Sequence, residues 1–258
     1  MTRRALLMAS GANRGAYYAG FLRPILESGL RFEILAGVSA GGIAAAWFAA
    51  GDPDALERSW READRWRVAF HPWLEGGRRR TVDHLIRTIT LRIMDLDAVL
   101  SAREDVRIVL SRITGPGLPL PRLERRVVHA REVPDRETLG LVLRATAFVP
   151  WINGVRRSLR IGEDRFLDGG LTGRVPLAVV APGEVDELWV AACSPNGIRE
   201  LTAELAVAAD RPERIVTLTP SEPLGLQRWT MEWDRIRRAI EIGRRDMERA
   251  IERYGASG

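Results

Sequence analysis

The amino-acid sequence predicts an α/β fold of three layers, a mostly parallel central sheet between helices. Short apolar runs alternate with helical patterns along the chain, the pattern of parallel strands joined by helices. A Gly-x-Ser-x-Gly turn lies early, between one such run and an alanine-rich helix. The 258 residues, 46% hydrophobic and 28% charged, suffice for one full core without a staple.

The first strand is "ALLMA" (Ala5 to Ala9), followed by "SGANRG" and a helical stretch to about Gly29. Pro24 within that stretch implies a kink or a helix restarting near Leu22. "FEILAG" reads as the second strand, and "GIAAAWFAA" as a helix stopped by Gly51, Asp52 and Pro53. Residues 54–100 carry Trp60, Trp66, Trp73 and "HPWLEGGRRR"; they read as helices broken by a loop, a cap over a site. Strands are expected at Val106–Ser111, Arg126–Ala130, Asp186–Cys193 and Arg214–Thr219, with helices at Asp135–Ala147 and Arg199–Asp210. Residues 225–254 repeat apolar side chains at steps of three and four from Leu226 through Trp229 and Trp233 to Tyr254. Such a stripe reads as a helix docked on its own domain, with membrane-surface binding as the lesser reading. The whole, 1–258, reads as one domain.

Cys193 is the single cysteine and cannot form an internal disulfide, which fits a reducing compartment. The N-terminal apolar run is too short for a secretory signal, and no stretch reaches the roughly 18 apolar residues of a membrane span. The expectation is a soluble cytoplasmic protein, with peripheral membrane contact open. All 39 basic residues are arginine, set among 34 acids for a formal charge of +5. This is a solvated mixed surface rather than a nucleic-acid platform, since Arg78, Arg79 and Arg80 lack interleaved aromatics.

Ser39, in "GVSAG", sits either on a sharp strand-to-helix turn that presents a nucleophile or on a merely tight turn. An α/β-hydrolase triad does not fit. That fold places its histidine last in the chain, whereas His71, His84 and His129 leave none beyond residue 129, and too few strands precede Ser39. "RFLDGGLTGRVPL" places Asp168 after a short strand, before Gly169 and Gly170; alone it is a turn signature.

Together, Ser10-Gly11-Ala12-Asn13-Arg14-Gly15, the Gly37-Val38-Ser39-Ala40-Gly41 elbow and the Asp168-Gly169-Gly170 turn resemble the patatin-like phospholipase family. The likeness extends to "LRATAFVPWINGV" and "LTGRVPLAVV" and covers roughly residues 4 to 181. It implies a lipid acyl hydrolase with a Ser39–Asp168 dyad, an oxyanion hole from the Gly11 and Ala12 amides, and Arg14 holding the loop or meeting a lipid phosphate. It implies an acyl-lipid substrate and no metal or organic cofactor. A carboxylate needs only hydrogen-bond reach of the serine to take its proton, but a free aspartate, with pKa near 3.9, is a weak base, so the site must compensate by desolvation and oxyanion stabilisation. Where the family has three consecutive glycines, this chain has Ser10, Gly11 and Ala12. Ala12 then either keeps φ negative or is strained. That departure keeps a second reading open, a non-catalytic acyl-lipid binding or signalling module.

Overall fold

The computed structural model describes residues 2–65, 82–117, 121–150, 152, 157–208, 211–227 and 232–255. Along the chain these form β1 (Arg4–Met8), α1 (Ala16–Ala19), α2 (Leu22–Ser28), β2 (Ile34–Val38), α3 (Ala40–Ala50) and α4 (Pro53–Arg65). Next come α5 (Val82–Thr88), running into a π turn over Ile89–Ile93, then α6 (Leu96–Leu100), β3 (Asp105–Gly115), β4 (Arg122–His129) and α7 (Arg136–Thr146). The chain continues through β5 (Leu159–Ile161), β6 (Asp164–Asp168), β7 (Glu187–Ala191), α8 (Pro195–Val207), β8 (Arg214–Leu218) and α9 (Trp233–Ala250).

One sheet has the order β5-β6-β3-β2-β1-β7-β8, with β4 also paired to β3. The five strands β3, β2, β1, β7 and β8 run parallel, and β4, β5 and β6 join antiparallel. Because side chains alternate along a strand, β1 divides the core. Leu6 and Met8 join the larger cluster with Tyr17, Phe21, Trp47, Leu143, Trp189 and Ile240. Ala5, Leu7 and Ala9 face the opposite way, against Val175, Leu177 and Leu201. Helices therefore cover both faces, unequally.

Local chemistry sets the boundaries. The first helix breaks at Gly20 and Phe21 and restarts at Leu22. Gly51, at φ 70°, ends α3 in the left-handed conformation that glycine adopts without strain. Helix α8 starts at Pro195 rather than Arg199, because Ser194 caps it by accepting the Gly197 N–H and proline suits the first helical position. It ends at Val207, and Asp210 lies outside the described residues.

Two strand expectations need correction. β3 extends past Ser111 to Gly115, because antiparallel β4 continues beside it from His129 back to Arg122. β4 in turn begins at Arg122 rather than Arg126, and Ala130 belongs to a 3-10 turn. A further short strand, β5, absent from these expectations, hairpins onto β6. The C-terminal helix starts at Trp233; Leu226 is buried in coil before it, and Trp229 lies outside the described residues. Trp66, His71, Trp73 and Arg78 to Arg80 lie outside them too.

Helix α9 seats its stripe, Ile236, Ile240, Gly243, Met247 and Ala250, in the core. At its crossing with α1 a side chain on Gly243 would collide with the Tyr17 carbonyl. Asp246 receives the Tyr17 hydroxyl at 3.0 Å and the Ser221 N–H at 3.0 Å, so the crossing is pinned by polar contacts as well as packing.

Candidate active site

Ser39 follows the last residue of β2 and occupies the N-cap of α3. A serine there ordinarily turns its oxygen back to cap the helix amides. Here it makes no such bond; the hydroxyl donates to Asp168 Oδ2 at 2.7 Å. The backbone at Ser39 has φ 57° and ψ −121°, a conformation that costs a non-glycine residue about 1–3 kcal/mol and persists only when neighbours hold it.

Those neighbours are identifiable. Gly37 and Gly41 approach so closely that a Cβ on Gly37 would overlap the Gly41 carbonyl, and one on Gly41 would overlap the Met8 carbonyl. The Ser39 N–H donates to Thr146 Oγ1 at 2.9 Å, and the Thr146 hydroxyl donates to the Val109 carbonyl at 2.7 Å. A fully buried threonine at the end of α7 thus ties the turn to β3. The Ser39 N–H is thereby already engaged.

Asp168 ends β6 and is 8% exposed. Its N–H donates to the Phe148 carbonyl at 2.8 Å, its carbonyl accepts the Ser111 hydroxyl at 2.8 Å, and Oδ1 accepts the Gly170 N–H at 2.7 Å. Oδ2 is thereby aimed at Ser39. Two residues 129 apart in sequence meet because β2 and β6 lie end to end along one edge of β3, whose other edge is taken by β4. Val38 pairs with Val109, and Asp168 pairs with the next residue, Leu110.

Across from this pair lies the loop Ser10–Gly15. The Gly11 and Ala12 N–H groups make no hydrogen bond among the described residues. Ala12 takes φ 49°, so of the two alternatives for this departure the strained one is realised. Arg14 is half-buried on the cavity wall, and its guanidinium has no ion-pair partner among the described residues. Gly15 packs on the start of α3, where a Cβ would lie 2.8 Å from Ala40 Cβ. Gly169 abuts the Val109 carbonyl, and a Cβ on Gly170 would lie 2.9 Å from Asp168 Oδ1.

Sequence reasoning missed Thr146, Ser111 and the role of Cys193. The Cys193 sulfur packs where a Gly11 side chain would stand, so only glycine fits at residue 11 over it. Burial pushes the Cys193 thiol up to about 12, against smaller lowering effects from the Tyr18 hydroxyl and the Arg14 charge. At pH 7–8 it is a neutral thiol, not a nucleophile. Ellman's reagent is expected to leave the native protein unlabelled and to titrate one thiol in denaturant. Fast labelling of the native protein would mean the loop opens over the sulfur.

The pair and the loop open into a cavity of about 480 Å³. Three helices each present an i, i+3, i+4, i+7 stripe to it: Ala40, Ile43, Ala44 and Trp47 from α3; Leu56, Ser59, Trp60 and Ala63 from α4; Val82, Leu85, Ile86 and Ile89 from α5 and its π turn. The rest of the lining adds polar Ser10, Arg14, Arg174, Ser194 and Asn196 beside apolar Val149, Ile152 and Leu171. Neither described histidine, His84 nor His129, lines the cavity. Among the described residues no group of three or more His, Cys, Asp or Glu is placed to hold a metal ion.

The profile of the patatin-like phospholipase family matches residues 6–181, which span the loop, the elbow and the aspartate turn. The chain belongs to the patatin-like phospholipase family. It is therefore a lipid acyl hydrolase by family, a lipid-hydrolysing enzyme. No curated protein matches the sequence significantly. Among solved structures, VipD from Legionella pneumophila superposes with a TM-score of 0.52 at 9% identity, over 98% of this chain and 67% of that one. The type III effector protein ExoU superposes with a TM-score of 0.42 at 14% identity, over 98% of this chain and 53% of that one. At such identities the VipD likeness speaks to the fold of this patatin-like domain alone.

Proposed function

We propose that this domain cleaves carboxylic esters of acyl lipids through an acyl-Ser39 intermediate, with Asp168 as the base. The reading rests on the 2.7 Å hydrogen bond from the Ser39 hydroxyl to a buried carboxylate, both lining a cavity that three helices face with largely apolar stripes. Ser39 Oγ attacks the ester carbonyl carbon while its proton passes to Asp168 Oδ2. The carbonyl oxygen becomes an oxyanion, for which the Gly11 and Ala12 amides are donors; each such donor is worth about 3–4 kcal/mol in the transition state. As the carbon–oxygen bond to the alcohol breaks, the alcohol takes the proton from Asp168. Water then attacks the acyl-serine, giving its proton to Asp168, and the acid departs as Ser39 Oγ regains that proton.

The N-terminus of the 11-residue α3 lies beneath Ser39 and favours negative charge there. An acyl chain filling the cavity would displace water and strengthen every such interaction. The cap formed by the helices of 54–100 and the docked C-terminal helix belong to the same single-domain proposal. So does peripheral contact with a membrane, where such substrates reside; no helix among the described residues is long and apolar enough to cross one. Nucleic acid has no place in this scheme.

A fluorophosphonate probe is expected to phosphonylate wild-type Ser39 with loss of fluoride and to leave Ser39→Ala unlabelled. Equal labelling of both proteins would overturn the assignment. The strained Ala12 favours the second reading, a binding module without turnover. Hydrolysis of a short nitrophenyl ester, lost on Ser39→Ala, would exclude it.

A further inference from the structure

The cavity wall next to Ser39 is the face of α3 itself, and the last α3 residue to touch the cavity is Trp47. Trp47 is 1% exposed and belongs to the main core, and α3 also packs on α6. The helix therefore serves as a ruler with an indole at its far end. From Ser39 to Trp47 it advances about 12 Å at 1.5 Å per residue. An extended chain advances about 1.2 Å per bond, a third of the span of an extended residue, so about ten bonds separate the nucleophile from the indole.

The walls leave little choice about what occupies that length. Ile43, Leu56, Leu85 and Ile86 surround it, and the hydroxyl of Ser59 is turned away, donating to the Leu56 carbonyl at 2.7 Å. An unbranched apolar chain fits such a channel; a polar head group would leave its hydrogen bonds unmade. The polar residues that line the cavity, Ser10, Arg14, Arg174, Ser194 and Asn196, come from segments other than α3, α4 and α5 and are left for the alcohol portion of an ester.

Building on the hydrolase reading, we infer that Trp47 is the floor of an acyl channel and that the enzyme selects medium-chain acyl groups, about eight to ten carbons. Each added methylene buries more apolar surface until the chain meets the indole. Beyond that point the chain must bend or leave its end in water, and the gain stops.

The test is the acyl-length profile of kcat/KM for nitrophenyl esters of four, eight, ten and fourteen carbons below their micellar concentrations. For wild type, kcat/KM is expected to rise about threefold to fourfold per methylene up to eight or ten carbons, then to level or fall by fourteen. Trp47→Ala is expected to move the optimum to fourteen carbons. Because loss of a buried tryptophan threatens folding, Ile43→Trp provides the opposite probe, obstructing the channel near its mouth. It is expected to cut the ratio of ten-carbon to four-carbon kcat/KM at least 30-fold, an order-of-magnitude figure from the same increment. A fluorophosphonate series with alkyl chains of the same lengths reads the channel through the rate of Ser39 labelling, without requiring turnover. Labelling and hydrolysis that climb steadily through fourteen carbons in wild type, or that keep the wild-type profile in both variants, would overturn the ruler while leaving the hydrolase reading intact. No Ser39 labelling by any probe would overturn the hydrolase reading and the ruler with it.

Discussion

Asp168→Asn is expected to lower kcat for a soluble ester by about 10²–10⁴-fold, the usual contribution of a positioned general base. The amide keeps the size of the carboxylate and can accept the Ser39 hydroxyl bond, so the elbow geometry survives. What is lost is the site for the proton. KM is expected to change little, because Asp168 does not line the apolar helical wall. Ser39→Ala removes the acyl-enzyme altogether and sets the floor of the assay. Steady-state kinetics on both variants, with thermal melts to establish folding, provide the measurement. If Asp168→Asn kept activity within tenfold of wild type, the proton would have to leave by another route and the dyad would be wrong.

The second large effect concerns the elbow rather than the chemistry. Gly41→Ala is expected to destabilise the protein by about 3–5 kcal/mol, at the upper end of overpacking effects. For a chain of this size that corresponds to a fall in Tm of about 10 °C. The added methyl would overlap the Met8 carbonyl oxygen and stand 2.6 Å from its carbon and 2.8 Å from the Ala9 carbonyl oxygen. All three atoms belong to backbone at the end of the central strand, and none can rotate aside as a side chain would. Differential scanning calorimetry checks the figure. A Tm within 2 °C of wild type would mean that α3 and β1 shift apart at little cost.

The parts of this site that follow local rules were legible in the sequence. Glycines around Ser39 and after Asp168 announce tight backbone turns. The apolar runs of β1, β2 and β7, buried at every position, announce interior strands. What the sequence concealed depends on contacts between distant segments. Thr146 sits in an ordinary small-residue helix end, and its hydroxyl acquires a role only because Ser39 and Val109 lie on either side of it. Cys193 reads as one more apolar strand residue until Gly11 rests on it. At only three residues, β5 is too short to display a period. Edge strand β4 alternates exposed and half-buried positions, with Arg122, Glu124 and Arg126 outward, so its apolar content is diluted.

Serine and aspartate both hang from neighbouring rungs of β3, through Val109 and Leu110. Side chains reverse direction at every step along a strand, so a slip of one residue in the seating of β6 would send the carboxylate to the wrong side of the sheet. On the proposed mechanism, a chain in which β6 has yet to dock would hold Ser39 without its base. Hydrolysis would then report that β6 has paired with β3 in register.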